Sequence, residues 1–202
     1  MFYINPEQEL TIELLQKMIN KFNVEVKPKR QKYKNYYDGL QAILSKQYAD
    51  DSKPCSKAVI NYCKNIVDSY CGYMATPSYI SYKSEQDIEV IMDVLRYNDY
   101  QAEDADLLLD ALVYGVGYEL MYIDNTAHTR FRMIDALSCF GVYDDSLTND
   151  LLYFVRIYKA NEWDDSIIYN VDVYGAYSVK HYRMSGYNGY LTFTGEEIHY
   201  FS

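Results

Sequence analysis

The chain has 202 residues, 49% hydrophobic and 24% charged, a balance that suits a folded core and excludes a disordered chain. Its net charge of −10 excludes a general nucleic-acid-coating surface, because binding of that kind relies on basic residues. The acid-bearing start "MFYINPEQEL" is no signal peptide, no apolar run is long enough to cross a bilayer, and the four cysteines form no disulfide framework, so the sequence reads as an intracellular chain.

The first helix is expected in "NPEQELTIELLQKMINKF", with Asn5 as N-cap, Pro6 at the first helical position, and Leu10, Leu14, Leu15, Met18 and Phe22 as the apolar stripe. The run "KPKRQKYK", Lys27 to Lys34, carries five basic residues and reads as a solvated linker or a partner for acidic neighbours, not as a nucleic-acid site. "YYDGLQAILSKQY" predicts a short helix with Leu40, Ile43 and Leu44 on its apolar side, and "ADDSKP" a polar break.

In "AVINYCKNIVDSYCGYMATP" helical spacing puts Val59, Cys63, Ile66, Val67, Tyr70, Cys71 and Met74 on one stripe, ending near Gly72 and Pro77. That places Ile66 in the core, where aspartate would unfold the chain. Cys55, Cys63 and Cys71 are eight residues apart, and each such step rises ~12 Å along a helix. Thiolates so separated cannot share a zinc ion or pair within the helix. With Cys139 alone, the cysteines read as small buried hydrophobes.

"SYISYKSEQDIEVIMDVLRYND" follows, with Ser84 and Asp87 as a capping box and Ile88, Ile91, Met92 and Leu95 as the seam. "DYQAEDADLLLDALVYG" is a further helix, with Ala105, Leu108, Leu109 and Leu112 facing inward. The nine acids between Glu85 and Asp110 alternate with seam positions and are expected to face water. No Asp-x-Asp-x-Asp-Gly loop is present for calcium.

From residue 116 the period changes to two. "VGYELMYID", "TRFRMID", "LSCFGVYD", "LYFVRIYKA", "SIIYNVDVYG", "YSVKHYRM" and "YLTFTG" read as strands. Asp124-Asn125, Asp144-Asp145, Gly175-Ala176 and Asn188-Gly189 mark the reversals. The fold class is therefore α+β: N-terminal amphipathic helices over about 5–115, then an antiparallel β meander over about 116–201. The 25 tyrosines suit half-buried sheet faces, or subunit contacts.

No catalytic constellation emerges. Gly115 to Gly117 ("GVG") follows a helix and lacks the third glycine of a nucleotide loop. His128, His181 and His199 form no HxH or HxxxH pair, and there is no GxSxG elbow. No catalytic, cofactor or metal residues are assigned, and no enzyme activity or cofactor is expected. A metal-dependent hydrolase using the acidic helices with His128 or His181 is the alternative from another class.

The segments "YYDGLQAIL" (36–44), "AVINYCKNIVDSYCGYMATPSYISY" (58–82), "NDYQAEDADLLLDALVYGVGYELMYID" (98–124), "RFRMIDALSCFGVYDDSL" (130–147) and "YFVRIYK" (153–159), with "EEIHYF" near the end, occur in an order that resembles the N-terminal wing region of bacteriophage portal proteins of long-tailed siphophages. The resemblance implies a single wing-like domain over 1–202 and a structural role. Such portals form a homo-oligomeric ring, usually of twelve subunits, at one capsid vertex, through which DNA is packaged and ejected. Their partners are other portal subunits, capsid or scaffolding protein and the packaging motor; their place is the virion, and the host cytoplasm during assembly. The stem, clip and crown of the family are not matched in this chain, so no stable DNA binding is expected of it. A portal-derived adaptor that binds phage assembly components is a further alternative.

Overall fold

The computed structural model describes residues 2–47, 57–75, 80–161, 167–186 and 189–199. Cys55, the break at 49–54, Pro77, Asn188 and the last residues of "EEIHYF" lie outside them. The chain divides into two compact units, Met1–Lys29 with Leu137–Ser202, and Arg30–Ala136.

The first unit is a six-stranded sheet with one helix. The strands are β1 (Phe2–Ile4), β4 (Cys139–Asp144), β5 (Leu151–Lys159), β6 (Ile168–Tyr174), β7 (Ser178–Ser185) and β8 (Leu191–Ile198), in the order β1-β4-β5-β6-β7-β8. From β4 to β8 each strand pairs antiparallel with the next, as the turn signals predict. β1 was not expected: "FYI" is short, and it pairs parallel to β4, Phe2 opposite Val142. The first helix, α1 (Ile12–Lys21), begins later than Asn5. The Asn5 side chain accepts from Glu7 N–H and its carbonyl from Gln8 N–H, so Asn5 and Pro6 close a turn after β1. Thr11 is the N-cap, its hydroxyl accepting from Leu14 N–H. Leu15, Met18, Ile19 and Phe22 then bury their side chains against Phe140, Val142, Val155, Ile157, Val171 and Val173. In each strand these residues are two apart, so they line one face of the sheet.

The second unit holds helices and a hairpin. A π-helical turn, Phe22–Val26, leads from α1 into α2 (Lys27–Tyr37). The basic run is therefore helical, not a linker, and the unit boundary falls within it. The expected helix at 36–48 is reduced to a 3-10 turn, Ala42–Ser45, because Gly39 takes a left-handed φ of +81° and ends α2. Next come α3 (Tyr62–Met74), α4 (Glu89–Tyr97), α5 (Tyr100–Tyr114) and a hairpin of β2 (Tyr118–Ile123) and β3 (Thr129–Ile134). The capping box at Ser84 is not formed as expected: Ser84 accepts from Gln86 N–H, and Asp87 accepts from Glu89 N–H at the start of α4. "GVG" is a helix exit. Gly115 caps α5 at φ +77°, and a side chain at Gly117 would collide with the Leu107 carbonyl.

The cysteine helix is not core. Among its described residues none is buried; Ile66 is 55% and Tyr70 58% exposed, and Cys63 is exposed. The apolar period is there, but this chain does not bury it; an exposed stripe of this kind is the chemistry of a contact surface. Ile91 and Leu112 are likewise exposed. Ile66→Asp is therefore expected to leave the fold intact. In urea unfolding followed by circular dichroism its stability should change by no more than about 0.5 kcal/mol, whereas loss of the folded signal would restore the buried reading.

Candidate functional site

The acidic helices do structural chemistry. β3 pairs with β2 along one edge only, and its free edge would leave backbone groups unmet. Side chains of α4 and α5 take the place of a strand there. Asn98, just past α4, donates to the Thr129 carbonyl (2.9 Å) and accepts from Phe131 N–H (3.3 Å). Glu103 accepts from Met133 N–H (2.9 Å) and is held by the Arg132 guanidinium. Asp110 lies 3.5 Å from Ala136 N. Thr129, Phe131 and Met133 alternate, so their backbone groups face one way. The expectation that these carboxylates face water fails for Glu103, which is buried.

Burial raises the Asp110 carboxyl above its usual range; the Ala136 N–H opposes this and Asp135 adds to it. Asp104 is raised by burial, and Glu119 by burial and then by Asp104 and Glu103. A carboxyl raised in the folded state binds its proton more readily there. Its stabilising contribution is present below the unfolded pKa and is lost as pH rises through the folded one. The urea midpoint of this unit is expected to rise as pH falls from 7 towards about 4.5. Asp110→Asn should flatten that slope, and an unchanged slope would count against it.

The histidines are placed apart. His128 sits in the β2–β3 turn, where Asp124 accepts from Thr126 Oγ1 (2.6 Å), Thr126 N–H and His128 N–H. These bonds, the Thr126 hydroxyl first, lower the Asp124 carboxyl. The His128 ring stacks on Tyr97 at 4.7 Å. His199 donates from Nε2 to the Gly175 carbonyl (2.8 Å). His181 Nδ1 lies 2.7 Å from buried Asp172, beside a polar cavity of ≈370 Å³. The hydroxyl of Ser178 donates to Glu196 instead of to His181. Among the described residues, no three His, Cys, Asp or Glu side chains are grouped so as to hold a metal ion.

The larger concavity is apolar and lies within the second unit. It measures ≈530 Å³ and is walled by Tyr33 and Tyr37 of α2, Cys63 and Ile66 of α3, and Leu112 of α5, with Lys32 at its edge. A polar cluster fixes α3 to α2. Tyr37 donates to Asp68 (2.7 Å), Lys64 donates to the Tyr37 hydroxyl (3.1 Å) and lies over its ring at 4.4 Å, and Asn61 donates to the Tyr37 carbonyl (2.7 Å). Burial, then the bond to Asp68, raises the Tyr37 hydroxyl; the bond that Tyr37 donates lowers Asp68, and the bond that Lys64 donates to Tyr37 raises Lys64. Cys71 points its thiol at the Ala105 carbonyl (3.7 Å), and burial raises it, so it is a packed thiol and not a nucleophile. Tyr62, Ile66, Tyr70 and Tyr73 continue the apolar surface along α3, all exposed at spacings of four, four and three. That is the side-chain chemistry of an interface, aromatic and depleted of charge.

An exposed apolar and aromatic face on an α+β scaffold has the side-chain chemistry of a protein–protein contact. Residues 16–202 match a phage portal protein family, and the chain belongs to it. The family is described as "Phage portal protein, SPP1 Gp6-like", and it is a structural, non-enzymatic one. No curated protein gives a significant match. Among the described residues, no helix is long and apolar enough to cross a membrane.

Proposed function

We propose that this chain is the wing region of a portal subunit, one copy of a homo-oligomeric ring at a capsid vertex through which phage DNA is packaged and ejected. The observation that carries the reading is the family match over residues 16–202. The order of helices before an antiparallel sheet, and the exposed aromatic face of α3, support it. The wing acts as one module of that subunit, spanning 1–202. Its partners are other portal subunits, the capsid or scaffolding protein and the packaging motor, in the virion and in the host cytoplasm during assembly. It has no catalytic role and forms no stable complex with DNA, a reading that 29 acidic against 19 basic residues suits.

Self-association is the test. A net charge of −10 repels copies at low salt, while the apolar face draws them together. Light scattering across a concentration series should show the mass of one chain when dilute and a rising mass when concentrated, more steeply in added salt. A ring-sized mass independent of concentration would show that this chain closes the ring alone, against this expectation. A single-chain mass at every concentration would leave the family membership standing and show that the exposed face of α3 does not by itself drive self-association.

A further inference from the structure

We propose that the outer edge of β2 takes up an extended, basic segment of another protein as a third strand of the hairpin sheet; this goes beyond the portal reading and does not rest on it. The sheet of β2 and β3 has no third strand among the described residues. Thr129, Phe131 and Met133 turn their backbone groups away from β2, towards Asn98 and Glu103. Their cross-strand partners are Ile123, Met121 and Glu119. In an antiparallel ladder the two members of such a pair turn away from each other, so these three send their N–H and C=O groups out from the far side of the hairpin. Helix side chains meet the β3 edge. Among the described residues, no hydrogen bond from another element reaches Glu119, Met121 or Ile123 on the β2 edge. Met121 and Ile123 are 55% and 53% exposed, on the face that also carries buried Phe131, so a strand beside them would extend that apolar face. Unpaired ladder groups flanked by apolar side chains are the template for strand addition. The edge at β8 is guarded by contrast: its ladder shifts register between His181 and Tyr182, and Glu196 and Glu197 charge it.

Charge sets the chemistry of the incoming strand. Glu119 of β2 lies beside Asp104 of α5, and among the described residues no basic group offsets the rise of either carboxyl. Glu103, the other acid that bears on Glu119, is already engaged by Arg132. Tyr82 feels both free carboxylates, and its ring meets that of Tyr100 edge-on at 5.9 Å. Two carboxylates short of a counter-charge, with two aromatic rings beside them, make a place for a cation. A lysine or arginine opposite Glu119, with apolar residues opposite Met121 and Ile123, therefore complements this edge in charge and in surface.

The probe is the peptide TVTVTKT, blocked at both ends and titrated into the full chain. In antiparallel register its two valines and its lysine fall opposite Ile123, Met121 and Glu119. Hydrogen exchange should slow at the Glu119, Met121 and Ile123 amides and stay as it was at Leu120 and Tyr122, which already bond to β3. Glu119→Lys should weaken binding at least about tenfold, and the peptide TVTVTET should recover that loss. Met121→Pro removes an outward N–H and no bond of the hairpin ladder, so it should abolish binding with an unchanged circular dichroism spectrum. No slowing at the three amides, slowing without the period of two, or equal binding of TVTVTKT by Glu119→Lys overturns the proposal. Slowing at the same amides that grows with protein concentration in the absence of peptide would seat a second copy on this edge, and overturns it as well.

Discussion

Phe140→Ala is expected to cost the chain about 3–5 kcal/mol. Phe140 is 1% exposed, and its ring lies 4.7 Å from Phe2 and 5.0 Å from Phe22. It is thus the point where β1, β4 and the end of α1 meet. Truncation removes transfer free energy and leaves a hollow that a sheet paired on both sides of β4 cannot close. Domains are stable by only about 5–15 kcal/mol, so the loss is a large share of the total. The melting temperature should fall by roughly 6–20 °C. Val90→Ala, at an 80% exposed site, is the matched control and should stay within about 0.5 kcal/mol. Equal effects at the two sites would show that the helix–sheet core is not where the first unit is held.

Asn98→Leu is expected to cost about 3–5 kcal/mol in the second unit. The side chain is 1% exposed and holds both the Thr129 carbonyl and Phe131 N–H of β3, with a further bond to the Val94 carbonyl (2.8 Å). Leucine fills much of the same space but leaves two strand groups buried and unmet, at about 1–3 kcal/mol each. A two-stranded hairpin has little stability of its own, so losing its side-chain neighbour should loosen β2 and β3 together. Hydrogen exchange reads this directly. The Phe131 amide should lose its protection while β5 and β6 keep theirs. Unchanged protection at Phe131 would mean that the hairpin does not depend on the side chains along its edge.

The strands from 118 onward were legible because alternation and turn residues are local signals, but the single meander expected over 116–201 is broken between β3 and β4: β2 and β3 form a sheet of their own, and only from β4 to β8 does each strand pair with the next. α1 was legible from its stripe, though its start was not: Asn5 and Thr11 are both good capping residues, and only the pairing of Phe2–Ile4 with β4 decides between them. β1 itself left no signal, because three residues carry no period. The failures at Ile66, Ile91 and Leu112 share one cause. Periodicity states which residues prefer to leave water, not whether the same chain or another one covers them. The roles of Asn98 and Glu103 were hidden for a different reason. Their partners are backbone groups about thirty residues away, reached through the fold and not through spacing. The absence of assigned catalytic residues followed from motif reading alone. The order of segments from 36 to 201 is what carried the portal resemblance, and the match over 16–202 bears it out.

The central claim is a place in the particle. Antibodies raised against this chain, gold-labelled and applied to opened phage particles from the host that produces it, test that most directly. Label is expected at a single vertex, where the portal ring sits. Label spread over every face of the shell, or confined to the distal tail, would contradict it.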